Sequence, residues 1–211
     1  MDTIYKSDTK RVFLTFDDGP SPVTSKILDI LKQENVKATF FILGSNVDSR
    51  KDVVKRMYEE GHYLANHGYS HTYSKIYSSP QSVLDEYNEC NDKVKNAIEV
   101  PDYNSHLFRF PGGLAGGKYA EIKKEAKELL LQNNIVNVDW NALTGDAETN
   151  NLSVEFEMTR LTETMESKNS LVILMHDTAD VSRSYLALQA SISFLKNEGY
   201  TFKTFKDLFP N

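Results

Sequence analysis

The feature that most constrains this chain is the alternation of short apolar runs with longer amphipathic ones along nearly its whole length. Val12 to Phe16 is β-branched and aromatic and too short for a helix, so it predicts a strand. Ile27, Ile30 and Leu31 then form a stripe at helical spacing, reaching about Gln33. Ala38–Leu43 predicts a second strand, and Asp48 is placed to cap a helix through Val53, Val54 and Met57 that stops at Gly61. Tyr63–Asn66 predicts a third strand. Ser79-Pro80 supplies a cap and a first helical position for a helix carrying Val83, Leu84, Tyr87, Val94 and Ile98. The pattern continues with a strand over Leu107–Phe110, a charged helix over Lys118–Leu131, a strand over Ile135–Trp140 and a helix over Ser153–Met165. A strand over Leu171–Met175 comes next, then a helix after Ser182 that buries Tyr185, Leu188, Ile192 and Leu195 and ends at Gly199. Tyr200–Phe205 is the last predicted strand.

Strands alternating with helices imply βαβ units and a parallel sheet. About seven of them in 211 residues predict an α/β fold, a distorted (β/α) barrel of about seven parallel strands, TIM-barrel-like but slightly smaller. No repeat, linker or low-complexity tract interrupts the pattern, so residues 11–211 are expected to form one domain after a lead-in over residues 1–10. Barrel enzymes place their chemistry at the C-terminal ends of strands. The ends of the predicted strands here carry Asp17 and Asp18, then His67, Arg109 and His176.

Composition excludes several classes. A net charge of −6 with scattered basic residues argues against a nucleic-acid partner, which is bound through clustered Lys and Arg. No apolar run approaches the ~18 residues of a membrane span, and the first residues lack the apolar core of a signal peptide. Cys90 is the only cysteine, so there is neither a disulfide framework nor a cysteine-rich metal site. This cysteine usage suits the cytoplasm and equally the surface of a cell that makes few disulfides.

Two adjacent carboxylates, Asp17 and Asp18, repel one another unless a cation or a shared proton relieves them. His67 and His71, spaced i and i+4, can grip one metal ion. Two His and one Asp suit zinc with an open position for water. Metal-bound water loses its proton near neutral pH, and an adjacent carboxylate can take it. One Asp holding metal and the other acting as base accounts for both oddities.

These residues resemble the polysaccharide deacetylases of carbohydrate esterase family 4, the NodB-homology domain. Thr15-Phe16-Asp17-Asp18-Gly19-Pro20 matches the family's first motif, and Asn66-His67 through His71 its second. Arg109-Phe110-Pro111-Gly112-Gly113 resembles the third, Asp146 falls at the later Asp of the fourth, and Leu174-Met175-His176 matches the fifth. The motifs stand in the family's order and span roughly residues 11–178. The resemblance implies Asp17 as base, Asp18, His67 and His71 as ligands of a divalent metal (zinc first, cobalt as an alternative) and Arg109 orienting Asp17. It also implies an oxyanion donor in the backbone N–H of Gly112 after Pro111, an acetyl pocket lined by Leu174, and His176 as general acid tuned by Asp146. Arg109 is expected to favour the ionised form of Asp17, and Asp146 the imidazolium of His176.

The implied reaction is metal-assisted hydrolysis of an N-acetylglucosamine-containing polysaccharide, peptidoglycan first, with release of acetate. Chitin oligomers, xylan, a small N-acyl substrate, or a non-catalytic glycan-binding role are the alternatives. The implied partner is an N-acetylated glycan, the implied state a monomer, and the implied location extracellular or at the cell surface, with a leader or anchor ahead of Met1. The chain departs from the family pattern at Gly68 (usually Ser or Thr), at Gly112 (usually Tyr or Phe), and at Leu143 and Ala147 (Asp and Trp). A more weakly braced histidine loop and a more open site are therefore expected. Trp140 and His62 are read as structural, His106 has no visible partner, Asp177 is placed to bond a neighbouring loop, and Lys118–Glu128 is read as a solvated helix face.

Overall fold

The computed structural model describes residues 2–150, 152–178 and 184–208; the predicted helix start at Ser182 lies outside them. In chain order the elements are α1 (Asp2–Tyr5), β1 (Arg11–Asp17), α2 (Thr24–Gln33), β2 (Thr39–Ile42), α3 (Gly44–Val47), α4 (Lys51–Glu59) and β3 (Tyr63–Asn66). They continue with α5 (Tyr73–Ile76), α6 (Pro80–Ile98), β4 (Leu107–Phe108), α7 (Ala120–Gln132), β5 (Val136–Asn137) and β6 (Ala142–Leu143). α8 (Val154–Met165), β7 (Ser170–His176), α9 (Ser184–Asn197) and β8 (Thr201–Lys203) complete the chain.

Every strand pairing is parallel, in the order β5-β4-β3-β2-β1-β7-β6, with β8 also paired to β1. One edge of β1 is divided: Arg11–Phe13 pair with β8, and Thr15–Asp17 pair with β2. The result is the expected distorted barrel, curled about β1 with β5 and β6 at the ends of the path.

Alternation along β1 sorts its side chains. Val12, Leu14 and Phe16 face the helices and join the large core with Ile27, Leu31, Leu188 and Ile192. Phe13, Thr15 and Asp17 face inward. Phe13 stacks on Phe205 at 4.9 Å and sits in an inner apolar layer with Ile4, Phe41, Leu107 and Val172. Above that layer the interior turns polar, starting at Thr15.

Five expectations need correction. Asp48 caps no helix: α3 and a 3-10 turn over Asp48–Arg50 precede α4, and the Asp48 carboxylate goes to Lys93 and, at 3.6 Å, Lys51. The chain turns at once after β2 because Gly44 packs against Cys90, where a Cβ would lie 2.8 Å from the Cys90 Cα. The strands expected over 107–110 and 135–140 pair only over β4 and β5. The Val138 and Asp139 carbonyls are taken by the Arg109 guanidinium instead, each at 3.0 Å. β6 is two residues long, too short for periodicity to reveal. The last strand stops at Lys203, because Thr204 and Asp207 form a capping box around a 3-10 turn. Lys123, expected on a solvated helix face, is buried and donates to the Gly113 carbonyl at 2.6 Å.

Candidate active site

β1 and β7 run in register so that Asp17 lies directly beside His176, while β3 delivers Asn66 and then His67 two strands away. Arg109 follows β4, its backbone N–H donating to the Asn66 carbonyl at 3.0 Å. The sheet thus brings these residues to one end of the barrel, the C-terminal end of the strands.

Arg109 is fully buried, and every nitrogen of its guanidinium has an acceptor. Nε donates to the Val138 carbonyl, Nη2 to the Asp139 carbonyl, and Nη1 to Thr15 Oγ1 at 2.8 Å and Asp17 Oδ1 at 2.7 Å. The Phe41 ring lies under it at 4.0 Å, and Trp140 flanks it at 5.7 Å. This bonding fixes the Asp17 carboxylate and leaves Oδ2 facing His67 Nε2 at 3.8 Å.

Asp18 adopts a left-handed conformation, φ 73°, which turns its side chain out of strand alternation. Its Oδ1 is buried with no hydrogen-bond donor, 3.5 Å from His67 Nε2 and 3.4 Å from His71 Nε2. His67 Nδ1 lies 2.7 Å from the Arg109 carbonyl, so Nδ1 carries the proton and Nε2 presents a lone pair. Burial lowers the His67 pKa against the pull of Asp17 and Asp18, which keeps the ring neutral. The three ligand atoms lie within 4.8 Å of one another, the one such group among the described residues. Tetrahedral zinc with bonds of about 2.0–2.1 Å separates its ligands by about 3.3 Å. The orphaned carboxylate oxygen and the bare imidazole nitrogen therefore fit a divalent cation.

On the far side, His176 Nδ1 lies 2.9 Å from Asp146 Oδ1, and the His176 backbone N–H donates to Oδ2 at 2.6 Å. Burial alone would lower the imidazole, but the Asp146 carboxylate outweighs it, with Asp17 and Asp18 adding, and the pKa is pushed up to about 9. Glu157, on the inner face of α8, is buried with Oε2 unpartnered. Burial, then the Asp146 charge, pushes its pKa up to about 8. Leu174 lies on β7, opposite Thr15 on one side and Leu143 on the other.

The loop after Arg109 is held from three sides. The Tyr77 hydroxyl donates to the Pro111 carbonyl at 2.7 Å, Lys123 to the Gly113 carbonyl, and the Leu114 N–H to Asp139 Oδ2 at 3.1 Å. Gly112 is exposed on this loop, at a φ of 73° that favours glycine. The expected opening at that position is filled from elsewhere: the Tyr73 phenol lies against the Gly112 Cα. The histidine loop is likewise braced without a hydroxyl at 68. Asn66 Oδ1 accepts from the Gly68 N–H, and Glu86 Oε2 accepts from the N–H groups of Tyr69 (2.8 Å) and Ser70 (2.7 Å). Glu86 sits on α6 in a run of ordinary helical charges, and nothing local in the sequence marks it.

The remaining polar residues are structural. His62 Nδ1 accepts from the Ala38 N–H, and burial pushes its pKa down to about 4. His106 meets the Asn134 carbonyl at 3.0 Å. Asp177 is fully buried, accepting from Ser21 and Thr24 at 2.6 Å each, and its N–H holds the Asp17 carbonyl at 2.7 Å. Gly19 packs so closely on that carboxylate that no Cβ fits. A cleft of about 330 Å³ opens beside Asp18 and His71, lined also by Pro20, Asn46, Arg50 and Asp177.

Comparison with known proteins identifies the family. The polysaccharide deacetylase family model matches residues 5–132. A peptidoglycan-N-acetylglucosamine deacetylase of Bacillus cereus is 32% identical over 203 residues, 95% of this chain and 71% of that protein. Among solved structures, a Streptococcus mutans CE4 esterase superposes with a TM-score of 0.85 at 34% identity, covering 93% of this chain and 86% of that one. The catalytic domain of a peptidoglycan N-acetylglucosamine deacetylase from Eubacterium rectale gives 0.84 at 30% identity, covering 95% and 90%. The chain belongs to the polysaccharide deacetylase family and is a hydrolase of amide-linked acetyl groups.

Proposed function

We infer that this protein is a metal-dependent N-deacetylase of peptidoglycan N-acetylglucosamine, that its cation is zinc, and that it works at the cell surface or beyond. The observation that carries the reading is the cage of Asp18, His67 and His71, with an orphaned carboxylate oxygen, flanked on one side by Asp17–Arg109 and on the other by His176–Asp146. The relatives' names supply the choice of glycan.

A divalent cation bound by those three side chains supplies Lewis acidity, making water more acidic and the acyl carbonyl more electrophilic. The protein does the rest. Asp17, held in place by the Arg109 fork and the Thr15 hydroxyl, takes the proton of the attacking water as that water adds to the acetyl carbon. The Gly112 N–H, on a loop whose carbonyls are already engaged, donates to the oxygen that becomes negative. His176, kept protonated by Asp146 up to about pH 9, delivers a proton to the sugar nitrogen as the C–N bond breaks. Acetate and a free amine leave. A base held in position by Arg109 and an acid kept protonated by Asp146, on opposite sides of one carbonyl, make the division of labour amide hydrolysis needs.

The test is acetate release from N-acetylated peptidoglycan and from chitin oligomers, with chelator-treated protein and after restoring zinc or cobalt. Metal-dependent release from peptidoglycan supports the reading. Release only from chitin oligomers or acetylated xylan moves the substrate, and no release with no bound metal overturns it.

A further inference from the structure

Gly112 and Tyr73 form a matched pair. A Cβ on Gly112 would lie 2.5 Å from the Tyr73 hydroxyl oxygen and 3.3 Å from its Cζ, so a side chain at 112 and the phenol at 73 cannot share that space. Tyr73 stands two residues after His71, and its ring lies 5.7 Å from the His71 ring. On the other side it packs edge-on at 5.5 Å against Tyr77, whose hydroxyl holds the Pro111 carbonyl. The phenol is thus wedged between the cation cage and the loop that carries Gly112. The residue is 40% exposed, and its hydroxyl has no hydrogen-bond partner among the described residues. An aromatic ring steadied on two sides by rings, with a free donor at its tip, is built to meet something that enters the site.

We propose that Tyr73 is a substrate-contacting residue, its hydroxyl donating a hydrogen bond to the acyl oxygen of the N-acetyl group beside the Gly112 N–H, and its ring forming the wall that a residue at 112 does not supply. This rests on the deacetylase reading above. No proton is transferred: the phenol keeps its hydrogen, and the bond strengthens as negative charge gathers on the oxygen. Losing one oxyanion donor costs on the order of 10²–10³ in rate in enzymes where it has been removed. A donor on a partly exposed ring, sharing its task with a backbone N–H, is expected to account for about 10- to 100-fold.

The zinc-loaded protein and its Tyr73→Phe and Tyr73→Ala variants are compared on the tetramer of N-acetylglucosamine, with metal content measured alongside. Tyr73→Phe is expected to lower kcat about 10- to 100-fold, with KM within threefold and zinc content unchanged. Tyr73→Ala is expected to add a rise in KM, because the wall goes with the hydroxyl. A Tyr73→Phe protein with the parent kcat overturns the proposal, as does loss of zinc from either variant, which would place Tyr73 in the cage rather than against substrate. Calorimetric binding of the tetramer in an Asp17→Asn background, with and without Tyr73→Ala, separates this proposal from the function itself. If the parent releases no acetate from the tetramer or from peptidoglycan, the function falls. A threefold or greater weakening of tetramer binding on losing Tyr73 then still supports the contact, and unchanged or undetectable binding overturns it.

Discussion

Glu157 makes the fold sensitive to alkali in a way that can be measured. Its carboxyl is 1% exposed, one oxygen has no donor, and its pKa stands at about 8 against 4.5 for an ordinary Glu. For an acid whose folded pKa is raised, the unfolded chain ionises first. Stability from this group is therefore intact below pH 4.5 and falls between 4.5 and 8, levelling off above. Each pH unit in that window costs about 1.4 kcal/mol, so the penalty at pH 7 is ~3 kcal/mol. Glu157→Gln keeps the shape and removes the titration. The variant should match the parent to within about 1 kcal/mol at pH 5 and exceed it by ~4 kcal/mol at pH 8. In a protein of this size that difference is about 8–16 °C in Tm. Urea unfolding of both proteins at pH 5, 7 and 8 reads it directly. A difference between them that stays the same across the three pH values would refute the reasoning, because it would mean that Glu157 ionises with the folded chain as it does in the unfolded one.

Asp17→Asn should keep zinc, measured by metal analysis, yet lose nearly all acetate release, since the amide still accepts from Arg109 but takes no proton. Asp146→Asn removes the carboxylate that holds His176 up at about 9, so the alkaline limb of the kcat profile should move one to two pH units lower. Glu86→Gln should weaken zinc binding about 10- to 100-fold in a competitive chelator titration, because the charged bonds that shape the Tyr69–Ser70 turn are lost while no metal ligand changes. Arg109→Met should lower unfolding free energy by about 3–5 kcal/mol at pH 7, since it strands the buried Asp17 carboxylate without a cation; equal stability in urea would count against the buried pair.

The parts of the fold that periodicity could reach were legible. β1, β2, β3 and β7 are apolar because both of their faces are buried, and α2, α4 and α6 show the stripe that packs against them. What stayed hidden depends on long-range geometry. β6 is anchored by the Leu143 N–H, which donates at 3.0 Å to the hydroxyl of Thr164 on a helix 21 residues away, a contact no local pattern reveals. The ends of β4 and β5 are decided by where one guanidinium donates. At the candidate site, motif order pointed to Asp17, Asp18, His67, His71, Arg109 and His176, and the sheet gathers them at one end. Tyr73, Lys123 and Glu86 escaped notice because each acts on a loop distant in sequence, through a hydroxyl, an ammonium or a carboxylate that reads locally as an ordinary surface group. The expected openness at Gly112 was wrong for the same reason: space vacated by one residue was taken by another 39 positions earlier.

The divided edge of β1 has a consequence for how the molecule is made. Residues 39–41 cover the half of that edge nearest Asp17, and residues 201–203 cover the other half, close to the last described residue. During synthesis the strand bearing Asp17 thus waits for its final neighbour until Thr201–Lys203, 190 positions after the residues they pair with, have left the ribosome. Until then Arg11–Phe13 present a hydrophobic edge with unpaired amides, a template for pairing with other chains. Shortening the chain ahead of Thr201 would leave the reacting end of the barrel in place and turn its opposite end into an aggregation surface.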